Sequence, residues 1–363
     1  MLKPRTVVGT AAATIAAAVA ISLAPITIVS AQGRCGGDRA GTAACDTTPA
    51  KAPFAPTGWK TVALDHFAIQ ATDYKKEAAY YSTLMNWKLR SDDGTQAVLD
   101  VGDIGQVIIR GGFQAPPPPP PPTAADSAAG RGRGGPRPPR RIAWDSFCWV
   151  IAGWNAKTVE AELTKRGLHP VADNDGKGFE SFHVKDPDGF DVQISNDAHV
   201  KQRKATAATA KMTVAAPFEG TDWKTVWLDH ISFEVSNYKE STAFYTALLG
   251  WKGTGDEGSQ NETEIGDLGN IIIRGGNPAA AAPGGAPAPR RAQIGHVSFG
   301  ITPFDADGTK NALAARKLNA REDTGGKGDI HSEAAKYKSY HTTTPDGFDL
   351  QISNATKANR TVR

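Results

Sequence analysis

Three histidines and a glutamine, His230, His296, His341 and Gln351, fall on stretches that read as strands. Because side chains alternate along a strand, each stretch sorts into two faces. In "LDHISFEV" the set Asp229, Ile231, Phe233 and Val235 is mainly apolar, while His230, Ser232 and Glu234 share the polar face. The same sorting joins His296 to Ser298 and Gly300, and sets Asp349, Gln351 and Ser353 against Phe348, Leu350 and Ile352. One face packs on helices; the other, lined by imidazoles, hydroxyls and an amide, reads as a binding cup.

The turn "TPDG" fixes how two of these groups meet. Pro at its second position and Gly at its fourth suit a type I turn followed by a left-handed Gly and a bulge. That register sets Thr344 opposite Phe348, and so His341 opposite Gln351, with Cβ atoms about 5 Å apart. "DPDG" does the same for His183 and Gln193. A calcium loop is the other reading of Asp-Pro-Asp-Gly, but the remaining EF-hand ligands and the closing Glu are missing. Glu234 shares the face of His230, yet four residues place it roughly 13 Å along the strand, too far to serve the same centre. The two "IRGG" segments suit a tight turn rather than a phosphate loop, since no helix start with a Lys follows. His331 and Glu333 lie in "GDIHSEAAKYK", an insertion that either covers the cup or forms a surface loop. His169 and His199 fall outside the cup pattern and read as surface residues.

The positioning elements occur twice. "GWKTVALDHFAIQATDYKKEAAYYSTLMNWK" matches "DWKTVWLDHISFEVSNYKESTAFYTALLGWK" without a gap, and "IIRGG" recurs at the same offset. "IAWDSFCW" parallels "IGHVSFGI", and "FHVKDPDGFDVQISN" parallels "YHTTTPDGFDLQISN". The preserved order is that of a tandem duplication. Each copy divides again into two halves of one pattern, a strand, an amphipathic helix and short strands ending in a hairpin, giving four βαβββ units. Asn237 is a good N-cap with Glu240 three residues on, and Phe244, Tyr245, Leu248 and Leu249 form one apolar face. Tyr80, Tyr81, Leu84 and Met85 repeat it. The fold class is therefore α+β, with copy one over 58–198, a linker over 199–220 and copy two over 221–356. Inserts at 113–141 (Pro/Gly/Arg-rich) and 277–291 (Pro/Ala/Gly-rich) cannot build a core and act as solvent-exposed connectors.

A chain of 363 residues accommodates two domains. Its net charge of +3 demands no polyanionic partner, so nucleic acid is not implied. Lys3 and Arg5 precede an uncharged apolar run, and Val29-Ser30-Ala31 offers a small-residue cleavage site. This reads as a signal peptide over 1–31 and a periplasmic or secreted protein with no stable membrane insertion after cleavage; a retained anchor is the alternative. A disordered tail follows over 32–57. Its Cys35 and Cys45 are free to close a small loop in an oxidising compartment, whereas Cys148 reads as a buried apolar residue.

With these motifs in order, twice, the chain resembles the vicinal oxygen chelate superfamily, which includes glyoxalases, bleomycin resistance proteins, extradiol dioxygenases and methylmalonyl-CoA epimerase. The resemblance runs from about Trp59 onward, outside the connectors, and rests on "LDH" opening a strand, the "FYTALLGW" helix and the "PDGF" turn. It implies two βαβββ modules per cupped mixed sheet, helices outside, and a divalent metal held by first and last strands. The matching positions are His230, Ile273, His296 and Gln351 in copy two, and His66, Ile109, Trp144 and Gln193 in copy one. Gln stands where relatives usually place Glu, and a neutral amide is a poorer ligand for Fe, Mn, Ni or Zn. Two readings are open. In the first, the cups bind a small, aromatic or vicinal-oxygen compound without a strong metal site, using His66, Trp144, His183, Gln193, Ser232 and Ser298. In the second, copy two is a metal-dependent lyase, dioxygenase or epimerase, with His230, His296 and Gln351 as ligands and His341 as general base or donor. The partner is a small molecule in either case, for a monomer or homodimer.

Overall fold

Alternating β-branched and aromatic residues build the first sheet from two modules. These are β1 (Thr61–Ala71), α1 (Tyr74–Leu84), β2 (Lys88–Asp92), β3 (Gln96–Val101) and β4 (Gly105–Arg110), then β5 (Ile142–Ile151), α2 (Ala156–Lys165), β6 (Val171–Asn174), β7 (Glu180–Lys185) and β8 (Asp191–Ser195). The computed structural model describes residues 48–114, 142–275 and 292–359. A short helix, α3 (Ala198–Ala205), leads to the second copy. That copy comprises β9 (Lys224–Glu234), α4 (Tyr238–Leu249), β10 (Lys252–Asp256), β11 (Gln260–Glu264) and β12 (Gly269–Arg274), then β13 (Gln293–Thr302), α5 (Ala306–Ala315), β14 (Arg321–Asp323), β15 (Ser339–Thr343) and β16 (Asp349–Ser353).

Each copy forms its own eight-stranded mixed sheet, in the orders β2-β3-β4-β1-β5-β8-β7-β6 and β10-β11-β12-β9-β13-β16-β15-β14. The two modules of a copy therefore join through their first strands, β1 with β5 and β9 with β13, both antiparallel. Asn237 caps α4 as its residue type predicts, its side chain accepting from the Lys239 and Glu240 amides. The hairpin register also holds. Thr344 N donates to Phe348 O at 2.9 Å, Gly347 takes φ +87°, and His341 pairs with Gln351 as His183 pairs with Gln193.

The duplication is used structurally. The indole of Trp87, just after α1, donates to Thr225 Oγ1 of the second copy at 2.8 Å, and Trp251, just after α4, donates to Thr61 Oγ1 of the first at 3.1 Å. Likewise Tyr245 on α4 donates to Asp186 in the first copy's hairpin turn, while Glu77 on α1 accepts from Thr344 and Asp346 in the second's. The apolar faces of both sheets thus belong to one continuous core that includes Phe67, Phe147, Phe233 and Phe299. Each buried aromatic contributes on the order of 2–3 kcal/mol to it.

Residues 48–57, assigned from sequence to a tail, lie against α4. Phe54 meets Phe244 edge-on at 5.5 Å, and Thr57 N donates to Ala247 O at 2.9 Å. The expected signal over 1–31, Cys35, Cys45 and nearly all of both connectors lie outside the described residues. No helix among the described residues is long and apolar enough to cross a membrane.

Candidate functional site

Two departures from simple strand alternation, and one regular strand whose register the residue matching missed, shape the cups. In β9, His230 pairs with Ser298 and Asn270, while Leu228 pairs with Phe299 and Gly269, so Asp229 is the extra residue of a bulge against both neighbours. A bulge releases its residue from the two-residue period. Asp229, expected on the apolar face, instead accepts from Ser298 Oγ and Tyr337 Oη, both at 2.7 Å. In the first copy Asp65 is skipped in the same way between Leu64 and His66. Finally, β12 sets Ile272 beside Ser232 and Asn270 beside His230. Ile273 therefore faces the core, and the cup position matched to it by sequence falls to Ile272.

In the second cup these strands bring His230, His296, His341 and Gln351 together. His230 Nε2 lies 2.9 Å from His296 Nε2, and the His296 ring meets that of His341 edge-on at 4.9 Å. Asp229 Oδ2, 3.2 Å from His230 Nδ1, can only accept, so the proton of His230 belongs on Nδ1 and its Nε2 carries a lone pair. Burial pushes the His230 imidazolium down to about 3, helped by the nearby Arg274 charge, and burial with the His230 charge holds His296 well below its usual range. Both rings are neutral at pH 7. His341 is different. Burial opposes its charge, but Asp323 and Asp349 outweigh burial and raise it, with Nδ1 3.1 Å from Asp349 Oδ1 and Nε2 3.5 Å from Asp323 Oδ2.

Gln351 is fully buried, and the two N–H groups of its amide are shared among three acceptors, Ser339 Oγ at 2.7 Å and Tyr337 Oη and Asp323 Oδ2, each at 3.1 Å. The acceptor-only carboxylate of Asp323 fixes the amide's orientation, which leaves Oε1 on the other side, buried and without a hydrogen-bond partner. The donor set suits a divalent ion. At 2.9 Å one neutral ring donates to the other, His296 Nε2 to the His230 lone pair, and both nitrogens would turn to a single cation that replaced that proton. One ligand atom each from His296, His341 and Asp349 also lie within 4.8 Å of one another.

The same architecture recurs in solved structures. A Mn(II)-bound glyoxalase from Novosphingobium aromaticivorans superposes with a TM-score of 0.53 at 15% identity, covering 81% of this chain and 82% of that one. The 2,3-dioxygenase LapB from a Pseudomonas species gives 0.53 at 12% identity, over 81% of this chain and 92% of that one. A variant of homoprotocatechuate 2,3-dioxygenase from Brevibacterium fuscum, in complex with HPCA, gives 0.52 at 16% identity, over 85% and 75%. The fold is that of the vicinal oxygen chelate proteins. No protein-family model and no curated protein matches the sequence itself.

Within this vicinal oxygen chelate fold the first cup differs from the second. His183 lies 3.1 Å from both Asp191 oxygens, and Gln193 donates to Ser181 Oγ at 2.7 Å and Asp173 at 3.4 Å, repeating the arrangement of the second cup. Trp144, however, is not there. β1 pairs Ala68 with Ser146 and Ile69 with Trp144, whereas β9 pairs Ser232 with His296 and Phe233 with Ile294. Ser146 therefore occupies the place of His296, and the ungapped match of "IAWDSFCW" to "IGHVSFGI" is two residues out. Trp144 stands where Ile294 stands, on the core face, packed 4.9 Å from Phe67 and 4.9 Å from Phe348 of the second copy.

Two further assignments change. His199, expected on the surface, is the second residue of α3; it lies 3.1 Å from Asp65 Oδ1 and stacks on Phe179 at 4.0 Å. The insertion "GDIHSEAAKYK" reaches the second cup through Tyr337, 3% exposed, while His331 and Glu333 stay exposed. Glu234 is engaged by Gln293 at the far end of its strand, as the spacing required. Tyr337, Asp323 and Asp229 are the polar groups that residue matching missed. Asp349 did fall on the cup face by alternation, which was its only signal.

Proposed function

We propose that the second cup holds one divalent ion of the Fe, Mn, Ni or Zn class and acts on a small compound with vicinal oxygens, as a lyase, ring-cleaving dioxygenase or epimerase. The observation that carries this is the 2.9 Å approach of two neutral imidazole nitrogens. It is supported by the orphaned Gln351 Oε1 beside the hairpin. His230 and His296 are the ligands, with Gln351 Oε1 a weak neutral one, and His341 with Asp349 completes the wall. A bound ion there would polarise the oxygens of the substrate.

The remaining roles follow from the hydrogen bonds. Asp229, held by Ser298 and Tyr337, fixes the tautomer of His230 and keeps its Nε2 lone pair turned toward His296. His341, set between Asp349 and Asp323, holds a proton at the cup wall and serves as donor or base to the substrate. Arg321 donates to Asp349 Oδ1 at 2.8 Å and steadies it. The basic, apolar N-terminus supports export, so the reaction runs in the periplasm or outside the cell.

A metal-free binding protein is the second reading. It is favoured by the three acceptors that already engage the Gln351 amide N–H groups and by the absence of a Glu at that position. Metal analysis of the purified mature protein separates the two. Stoichiometric metal that is lost in both His230→Ala and His296→Ala supports the catalytic reading. A wild-type protein that neither carries nor takes up metal, yet binds a catechol or similar compound unchanged in both variants, sinks it.

A further inference from the structure

The carboxylate at the bulge has different company in the two copies. In the second, Asp229 is satisfied by two hydroxyls, those of Ser298 and Tyr337. In the first, Cys148 takes the place of Ser298, since it pairs with His66 as Ser298 pairs with His230. His199 from α3 contacts Asp65 as Tyr337 contacts Asp229. Both exchanges replace a hydroxyl by a side chain that ligates metals.

One ligand atom each from Asp65, His66 and Cys148 lie within 4.8 Å of one another, and the three residues are 0%, 4% and 0% exposed. His66 Nδ1 is 2.7 Å from Asp65 Oδ1. Asp65 Oδ2 is buried without any hydrogen-bond partner, a costly state for a carboxylate oxygen and one that a cation relieves. We propose that Asp65, His66 and Cys148 form a second metal site, for a zinc-class divalent ion, with His199 held against the Asp65 carboxylate beside it. Sulfur, imidazole and carboxylate donors together suit a borderline-soft ion such as Zn²⁺. The site is chemically distinct from the second cup, which contains no thiol.

Its closure suits a structural role. Arg203 of α3 donates to the backbone carbonyls of Asp65 and Leu64 at 3.2 and 3.3 Å. An ion shared by β1 and β5, with α3 held on the same carboxylate through His199, fastens the start of the connector between the copies to the first sheet. His199, with Nε2 3.5 Å from Asp175 Oδ2, bridges Asp175 to Asp65 and orients the Asp65 carboxylate from outside the site.

The test uses Co²⁺ alone as the probe, added under reducing conditions to chelator-treated full-length mature protein. A thiolate-to-cobalt charge-transfer band in the near ultraviolet is expected, kept in full by His296→Ala and lost completely by Cys148→Ser. A wild-type protein with no such band overturns the proposal. So does a band that survives Cys148→Ser, since Cys35 or Cys45 then supplies the thiolate. Should Cys148→Ser fail to fold, a Cys35→Ser, Cys45→Ser double variant carries the same question with Cys148 as its only thiol. The band's presence there supports the site, and its absence refutes it.

Discussion

Glu77 offers a quantitative check on how the two copies are joined. Its side chain is fully buried on α1, Oε1 accepts from Thr344 Oγ1 at 3.0 Å and from the Asp346 amide at 2.5 Å, and Oε2 has no partner. Burial outweighs these two hydrogen bonds and raises the carboxyl from 4.5 to about 8. The sign follows from proton counting. Below the unfolded value both states hold the proton; between the two values the native state holds it and the unfolded chain does not, so stability falls as pH rises; above about 8 the loss is complete. At about 1.36 kcal/mol per unit, the shift corresponds to roughly 5 kcal/mol across the window. Glu77→Gln keeps an acceptor for Thr344 and Asp346 and removes the ionisation. Urea unfolding followed by tryptophan fluorescence, at several values between pH 4.5 and 8, should show the variant near wild type at the acid end. It should then gain on wild type progressively, by several kcal/mol at pH 8. Asp186, also raised by burial, to about 6, adds a slope of the same sign to both proteins and cancels in the difference. A gap that stays constant with pH, or one in which the variant loses ground as pH rises, refutes the reasoning, because Glu77 would then be ionised and stabilising.

Replacing Gln351 by Glu sets a carboxylate against Asp323 and removes both N–H donors of the amide from their three acceptors, so the metal-free variant should lose about 3–5 kcal/mol. Added divalent metal should restore much of it, and equal stability of the metal-free forms by urea titration contradicts the hairpin network. Tyr337→Phe removes the donor to Asp229 and an acceptor of the Gln351 amide, at an expected cost of about 1–3 kcal/mol, with weaker metal retention on dialysis. Unchanged values on both counts would show that the insertion does not support the cup. Trp87→Ala, which empties a core position stacked on Tyr81 and edge-on to Phe299 of the second copy, should cost about 3–5 kcal/mol in thermal or urea unfolding. A loss under 1 kcal/mol would mean that the copies share little core.

Local rules carried far in this chain because several of its signals are local. The "PDG" turn specifies its own backbone, so pairing His341 with Gln351 required only the turn geometry, and the structure has that register. Asn237 caps α4 through a contact made within three residues. The rules failed where a strand departs from regular pairing. One extra residue at Asp229, and its counterpart at Asp65, turns a carboxylate expected in the core toward the cup. A two-residue offset in β5 trades His296 for Ser146 and moves Trp144 into the shared core.

What the sequence determined by itself is the duplication, the βαβββ modules, the hairpins and the polar face carrying His230, His296 and Gln351. Each depends on periodicity, on turn chemistry, or on comparing one half of the chain with the other. Only the tertiary structure decided that Asp229 and Asp65 leave the core face, and that Tyr337 and His199 close on these two bulged carboxylates from distant segments. The physical reason is that strand alternation describes an unbroken ladder. Bulges are set by how neighbouring strands and the core behind them pack, and that packing couples residues far apart in the chain.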